Sequence, residues 1–163
     1  MKRPELFLQK ILTADQARLH TQSWRFKGET LVFTNGVFDL LHEGHLYSLT
    51  QAATEGTRLL VAINSDESVR RLKGPTRPIQ SQTTRAQILA ALVFVDAVVV
   101  FDEDTPAALI ELIESDVLVK GGDYTPAQIA GAESVLKRGG RIVINPILDG
   151  FSTTATIQKM QGS

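Results

Sequence analysis

The chain contains no cysteine, which excludes disulfides, thiolate nucleophiles and cysteine-based metal sites. Histidine is nearly as scarce, with three in 163 residues: His20, His42 and His45. Zinc takes three or four ligands, which this set does not supply, and no metal-binding residues are assigned. Neither sign of charge is in excess: 17 Lys and Arg against 18 Asp and Glu leave a net charge of −1. That balance offers nothing to nucleic acid, so any cation that meets a phosphate must act locally. No apolar run approaches the ~20 residues of a membrane helix, so no membrane partner is expected. The N-terminal stretch MKRPELFLQKIL is broken by Gln9 and Lys10 and makes a poor signal peptide. A cytoplasmic protein is the expectation.

What is present is ordinary for a soluble domain: 43% hydrophobic and 21% charged residues in a chain of single-domain length. Residues 1–28 read as an N-terminal helical extension and 29–163 as the main domain. Thr13-x-x-Gln16 forms a capping-box pattern, starting a helix that Gly28 closes. Apolar runs at 31–34, 59–63, 97–101, 117–119 and 142–144 predict five strands. Helical patterns lie between them: one after His42, a short one after Asn64-Ser65-Asp66, one over 84–92, one opened by Pro106, and one from Thr125-Pro126 to Gly139-Gly140. A last helix is expected after Ser152. Strands alternating with helices, without hairpin turns, predict an α/β fold: a Rossmann-like parallel sheet of five strands with helices on both faces. Ligands of such sheets gather at the carboxyl ends of the strands.

The most informative stretch is Leu31–His45, LVFTNGVFDLLHEGH. A buried strand ends at Asn35-Gly36, and His42-x-Gly44-His45 follows at the start of a helix. Two histidines three apart share one helix face. Gly44 between them leaves room for a bulky anion. A strand, a glycine turn and a helix N-terminus together suit phosphate, because free amides and the helix dipole favour negative charge. The histidine pair alone would leave an ordinary structural reading about even with a functional one. The full string, TNGVFDLLHEGH after a strand, resembles the signature of the HxGH nucleotidyltransferase superfamily. That resemblance implies transfer of a nucleotidyl group from a nucleoside triphosphate to a phosphorylated acceptor. It makes Thr34, Asn35, Gly36, Phe38 and Gly44 candidate nucleotide contacts.

Other segments fall near the same sheet edge. Lys73, Arg77 and Arg85 place three cations within thirteen residues, on a stretch stiffened by Pro75 and Pro78. A solvated basic surface is the plain alternative, but arginine grips phosphate with two parallel bonds and lysine supplies a mobile point charge. The 73–85 stretch is expected to be mobile and to close over substrate. Lys120-Gly121-Gly122-Asp123 follows a strand; a plain tight turn is one reading, and the other is a place where glycines let a base approach and Asp123 accepts ribose hydroxyls. Ser152, Thr153 and Thr154 read either as a plain N-cap or as an N-cap aimed at the strand ends that makes a second anion site.

KGPTRP at 73–78, RAQILAAL at 85–92, VLVKGGDY at 117–124 and DGFSTT at 149–154 are similar to the heptose 1-phosphate adenylyltransferases. These form the adenylyl-transferring half of bifunctional ADP-heptose synthases, and the likeness covers nearly all of residues 10–160 without a kinase half. It implies ATP with Mg²⁺ and a sugar phosphate as the ligands, and His42, His45 and Lys73 as catalytic residues. Nucleotide contacts are then expected at 120–123 and 152–154, and substrate contacts at Asp39, Asp66, Arg77 and Arg85. Val37 and Phe151 stand where the signature often has cysteine. Ile147–Gly150 lacks the arginine of the cytidylyltransferase pattern before the last helix, which speaks against cytidylyl transfer. The rivals are a glycerol-phosphate or ethanolamine-phosphate cytidylyltransferase and, outside enzymes, a nucleotide-binding regulatory domain. Oligomeric state is left open by the sequence, a homo-oligomer included.

Overall fold

A computed structural model of the chain describes residues 3–122, 124–146 and 157. A 3-10 turn over Pro4–Lys10 leads into β1 (Ile11–Leu12) and α1 (Ala14–Phe26). Next come β2 (Leu31–Gly36), α2 (Glu43–Ala53), β3 (Arg58–Asn64) and α3 (Asp66–Lys73). They are followed by α4 (Gln82–Ala90), β4 (Ala97–Phe101), α5 (Ala107–Ile113) and β5 (Val117–Gly121). A 3-10 turn at Pro126–Gln128, α6 (Ala132–Lys137) and β6 (Arg141–Asn145) close the described fold. All pairings are parallel, in the order β1-β4-β3-β2-β5-β6.

The α/β parallel sheet expected from the sequence is therefore present, with six strands rather than five. The additional strand is β1, whose Ile11 and Leu12 pair with Val98 and Val99. Two residues behind a proline-led turn are too few to display a strand period. β2 also runs on through Asn35 and Gly36, which pair with Ala62 and Ile63. The single helix expected from Pro126 to Gly139 is divided in two. Gly131 breaks it, with φ of +83° and no space for a side chain, since a Cβ there would lie 2.7 Å from Ile110. The expected last helix lies, apart from the helical residue 157, outside the described residues.

Strand alternation sorts the core into two layers. Phe33, Leu60, Ala62 and Leu118 face α1, α5 and α6, and pack with Ala17, Ile110, Ile113 and Val135. Val32, Val61, Ile63 and Val119 face α2 and α4, and pack with Leu49, Ala52, Ala86 and Leu89. The capping box expected at Thr13 is formed, Thr13 Oγ1 accepting from Gln16 N and Gln16 Oε1 from Thr13 N. At the amino ends of the strands, Asp116 accepts from Leu31 N at 2.7 Å and Asp96 from Leu59 N at 2.8 Å. These carboxylates fix the stagger of neighbouring strands and leave the opposite ends open. β2 lies between β3 and β5, so the chain winds outward from β2 and then returns to its other side. That reversal sets the ligand crevice at the tips of β2 and β5. No helix of the described residues is long and apolar enough to cross a membrane.

Candidate active site at the tips of the central strands

At the end of β2 the chain folds back on itself. A Cβ at Gly36 would lie 2.9 Å from the Phe38 ring, so only glycine lets that ring fold over the strand tip. Phe38 and Leu40 both adopt positive φ, 50° and 54°, a costly conformation for side chains of this size. Asp39 stands between them. The turn delivers the Phe38 ring edge-on to His45, with centroids 5.3 Å apart. His45 in turn stacks on His42 at 3.8 Å and 18°.

His42 is the N-cap residue of α2, yet its side chain makes no capping bond. Its carbonyl accepts from His45 N and Leu46 N, which leaves the amides of Glu43 and Gly44 at the mouth of the helix. Burial holds the His42 imidazole below its usual titration range. Burial, with the neighbouring His42 adding to it, pushes His45 down to about 4. Both rings are therefore neutral near pH 7, each with one N–H to donate and one nitrogen to accept. The buried Nδ1 of His45 has no hydrogen-bond partner among the described residues. Two neutral donors beside open helix amides can hold phosphate oxygens without a strongly bound counter-anion.

The remaining sequence candidates divide. Lys73 is exposed at the end of α3 and pairs with no carboxylate among the described residues. Gly74 follows it with φ of +97° and open space around it. Thr34, Asn35 and Gly36 lie at the β2 tip beside Lys120 and Gly121 of β5. Gly122 donates its amide to the Asn145 carbonyl at 3.1 Å. Asp123, Ser152, Thr153 and Thr154 lie outside the described residues.

Asp39, Asp66, Arg77 and Arg85, the expected substrate contacts, bind one another and the backbone. Asp39 is 1% exposed and accepts from Arg77 Nε at 2.9 Å, Ile79 N at 2.8 Å and Gln80 N at 2.9 Å. Arg85 is equally buried and donates to the Gln80 carbonyl, the Val37 carbonyl and the Asp66 carboxylate. Leu40 N adds a bond to the Gln80 side chain at 3.3 Å. These bonds stitch residues 77–85 to the histidine-bearing turn. The part of the expected lid that is free of such bonds is 73–76.

Beyond the β2 tip lies a cavity of about 350 Å³ of which sequence reasoning named Asn35, Gly36 and Lys120 but passed over Asn64 and Thr105. Its walls include Asn35, Val37, Asn64, Leu72, Thr105, Lys120, Tyr124 and Ile129. The available signal was parity: Asn35, Asn64 and Lys120 each continue the alternation of a core-facing row, but in polar form.

A nucleotide-binding α/β fold with an HxGH pair at its switch point is the class that these features define. The chain belongs to the cytidylyltransferase-like family, whose model matches residues 33–158. It is 48% identical over 153 residues to the bifunctional protein HldE of Gluconobacter oxydans, covering 94% of this chain and 32% of that protein. It is 53% identical over 150 residues to the protein of the same name from Koribacter versatilis, covering 92% of this chain and 31% of the other. The chain thus spans about a third of the length of these curated relatives. Among solved structures it is similar to the lipopolysaccharide core biosynthesis protein from Thermoplasma volcanium, with a TM-score of 0.61 and 26% identity, covering 74% of this chain and 98% of that one. The pantoate-beta-alanine ligase of Francisella tularensis shares the fold, with a TM-score of 0.58 at 18% identity over 83% of this chain and 66% of that one.

Proposed function

We propose that this chain transfers the adenylyl group of ATP to D-glycero-β-D-manno-heptose 1-phosphate, giving ADP-heptose and pyrophosphate. The observation that carries the reading is the stacked pair His42 and His45 at the uncapped head of α2. About 50% identity to proteins named bifunctional HldE, and likeness to a lipopolysaccharide core biosynthesis protein, support the heptose acceptor. An oxygen of the acceptor phosphate attacks the α-phosphorus of ATP, forming a new P–O bond. The bond from that phosphorus to the bridging oxygen breaks, and pyrophosphate leaves with the electron pair. The attacking group is already an anion, so no proton has to be removed from it. Positioning and charge stabilisation are the protein's share. His42, His45 and the first amides of α2 hold α- and β-phosphate oxygens, and Lys73 swings in from the 73–76 segment to meet the triphosphate. Mg²⁺ arriving on the triphosphate would screen its charge.

The test is pyrophosphate release with ATP, CTP, GTP and UTP, each paired with heptose 1-phosphate, glycerol 3-phosphate and phosphoethanolamine. ATP with heptose 1-phosphate is the expected active pair. Preference for CTP, or for a non-sugar acceptor, would transfer the chain to a cytidylyltransferase role. Absence of pyrophosphate with every pair would favour a regulatory nucleotide-binding domain.

A further inference from the structure

Among the described residues nothing covers the outward face of α1. Its inner face carries the buried Ala17 and Thr21, packed toward the sheet and α5. Leu19 lies two residues from each of them, about 200° around the helix, and Phe26 follows seven residues later on the same line. Leu19 is 58% exposed and Phe26 94%. A lone exposed apolar side chain is ordinary. Two in one stripe, one of them a phenyl ring able to bury roughly 150–250 Å², ask for a partner surface.

The same helix supplies that surface at its other end. Ala14 forms one wall of a largely apolar recess of about 270 Å³, completed by Phe101 and by Ala108, Leu109 and Leu112 of α5. The recess and Phe26 stand roughly 18 Å apart along α1, so the ring cannot fill the recess of its own molecule. A second copy laid antiparallel exchanges the ends. With a two-fold axis beside Leu19, each residue after Leu19 faces the residue equally far before it in the partner. Phe26 then falls opposite the partner's Leu12, beside Ala14 and the recess, and Leu19 meets its own counterpart. Charge agrees with this direction: Lys27 adjoins Phe26, and Glu103 borders the recess. Both are exposed, and neither belongs to an ion pair among the described residues. A parallel pairing would instead set Phe26 on Phe26 and Lys27 on Lys27, leaving both recesses empty.

We infer that α1 is a dimerisation helix: two copies of this chain pair α1 antiparallel about a two-fold axis, and the Phe26 ring of each fills the recess between α1 and α5 of the other. The contact is isologous, so it closes at two copies and leaves no free end for further growth. α2 packs on the opposite core layer, so the pairing leaves the histidine helix uncovered.

Sedimentation of the wild-type protein at micromolar concentration should give twice the 17.8 kDa of one chain. Phe26→Ala should raise the dimer Kd by more than about 30-fold for each of the two contacts, as truncating a buried aromatic anchor does. Phe26→Lys should sediment as a monomer with an unchanged far-UV spectrum, since the ring supports nothing in its own fold. Ala108→Arg blocks the recess and should also be monomeric. An equimolar mixture of Ala108→Arg and Phe26→Ala should regain a weaker dimer, because one ring and one open recess still meet. The chain has no cysteine, so Leu19→Cys places a single thiol at the axis. A short bis-maleimide should join two such chains, while Val93→Cys, 93% exposed beyond α4, should stay unjoined. A monomeric wild-type protein would overturn the inference. So would a dimer that survives Phe26→Lys, a mixture that stays monomeric, or equal cross-linking through the two cysteines.

Discussion

His42 and His45 are two uncharged imidazoles stacked at 3.8 Å where an enzyme handling triphosphates would be expected to place cations. Preorganised neutral donors suffice if they strengthen their bonds only as charge builds on the leaving pyrophosphate. Replacing either by alanine should lower turnover about 10²–10³-fold, the usual loss for one such donor, while thermal melting changes little. The low pKa of His45, about 4, has consequences of definite sign. In the unfolded chain this residue titrates near ~6.5. Its contribution to stability is therefore complete above that pH and is lost as pH falls toward 4. A triphosphate against the ring does the reverse, favouring the imidazolium and raising the pKa. ATP binding should then take up protons and tighten between pH 7 and pH 5, and His45→Gln should flatten the trend. Calorimetry in two buffers of different ionisation enthalpy measures that uptake directly.

At the level of elements, the α3–α4 connection is a latch over its second half and a free arm over its first. Arg85 reaches Val37 across 48 positions of sequence and Asp39 reaches Gln80 across 41. Removing Arg85 strands the Asp66 carboxylate and two carbonyls. Arg85→Met should therefore cost about 3 kcal/mol, as breaking other buried pairs does, seen as a lower urea midpoint at unchanged slope. Asp39→Asn should leave most of that stability but speed amide hydrogen exchange at Ile79 and Gln80. Lys73→Ala, on the free arm, should lower turnover without altering the urea midpoint. These opposite roles explain what the sequence could reveal. The histidine signature and the strand–helix alternation were legible because each is written in residues that are neighbours along the chain. Arg85 and Lys73 look alike in sequence, and only partners 19 and 48 positions away make Arg85 an internal strut. The divided helix at 126–137 was hidden for a similar reason, since Gly131 is required by the distant Ile110.

Across the whole molecule, the leader segment is woven into the sheet through β1, which covers the outer side of β4. Deleting residues 3–12 would bare the backbone of Val98 and Val99, and unpaired strand edges invite other chains to pair with them. The expected result is a lower melting temperature and concentration-dependent association in light scattering. At the other end of the strands, the β2 tip divides the crevice, with His42 and His45 on one side and the Lys120 cavity on the other. Two separate volumes at one crevice predict a machine without a queue: either substrate should enter first, with ternary-complex formation in random order. Initial-rate plots should intersect, an α,β-methylene ATP analogue should compete with ATP alone, and a non-reactive sugar phosphate analogue should compete with the acceptor alone. Uncompetitive inhibition by either analogue would reveal a compulsory sequence and a crevice that one substrate must shape for the other.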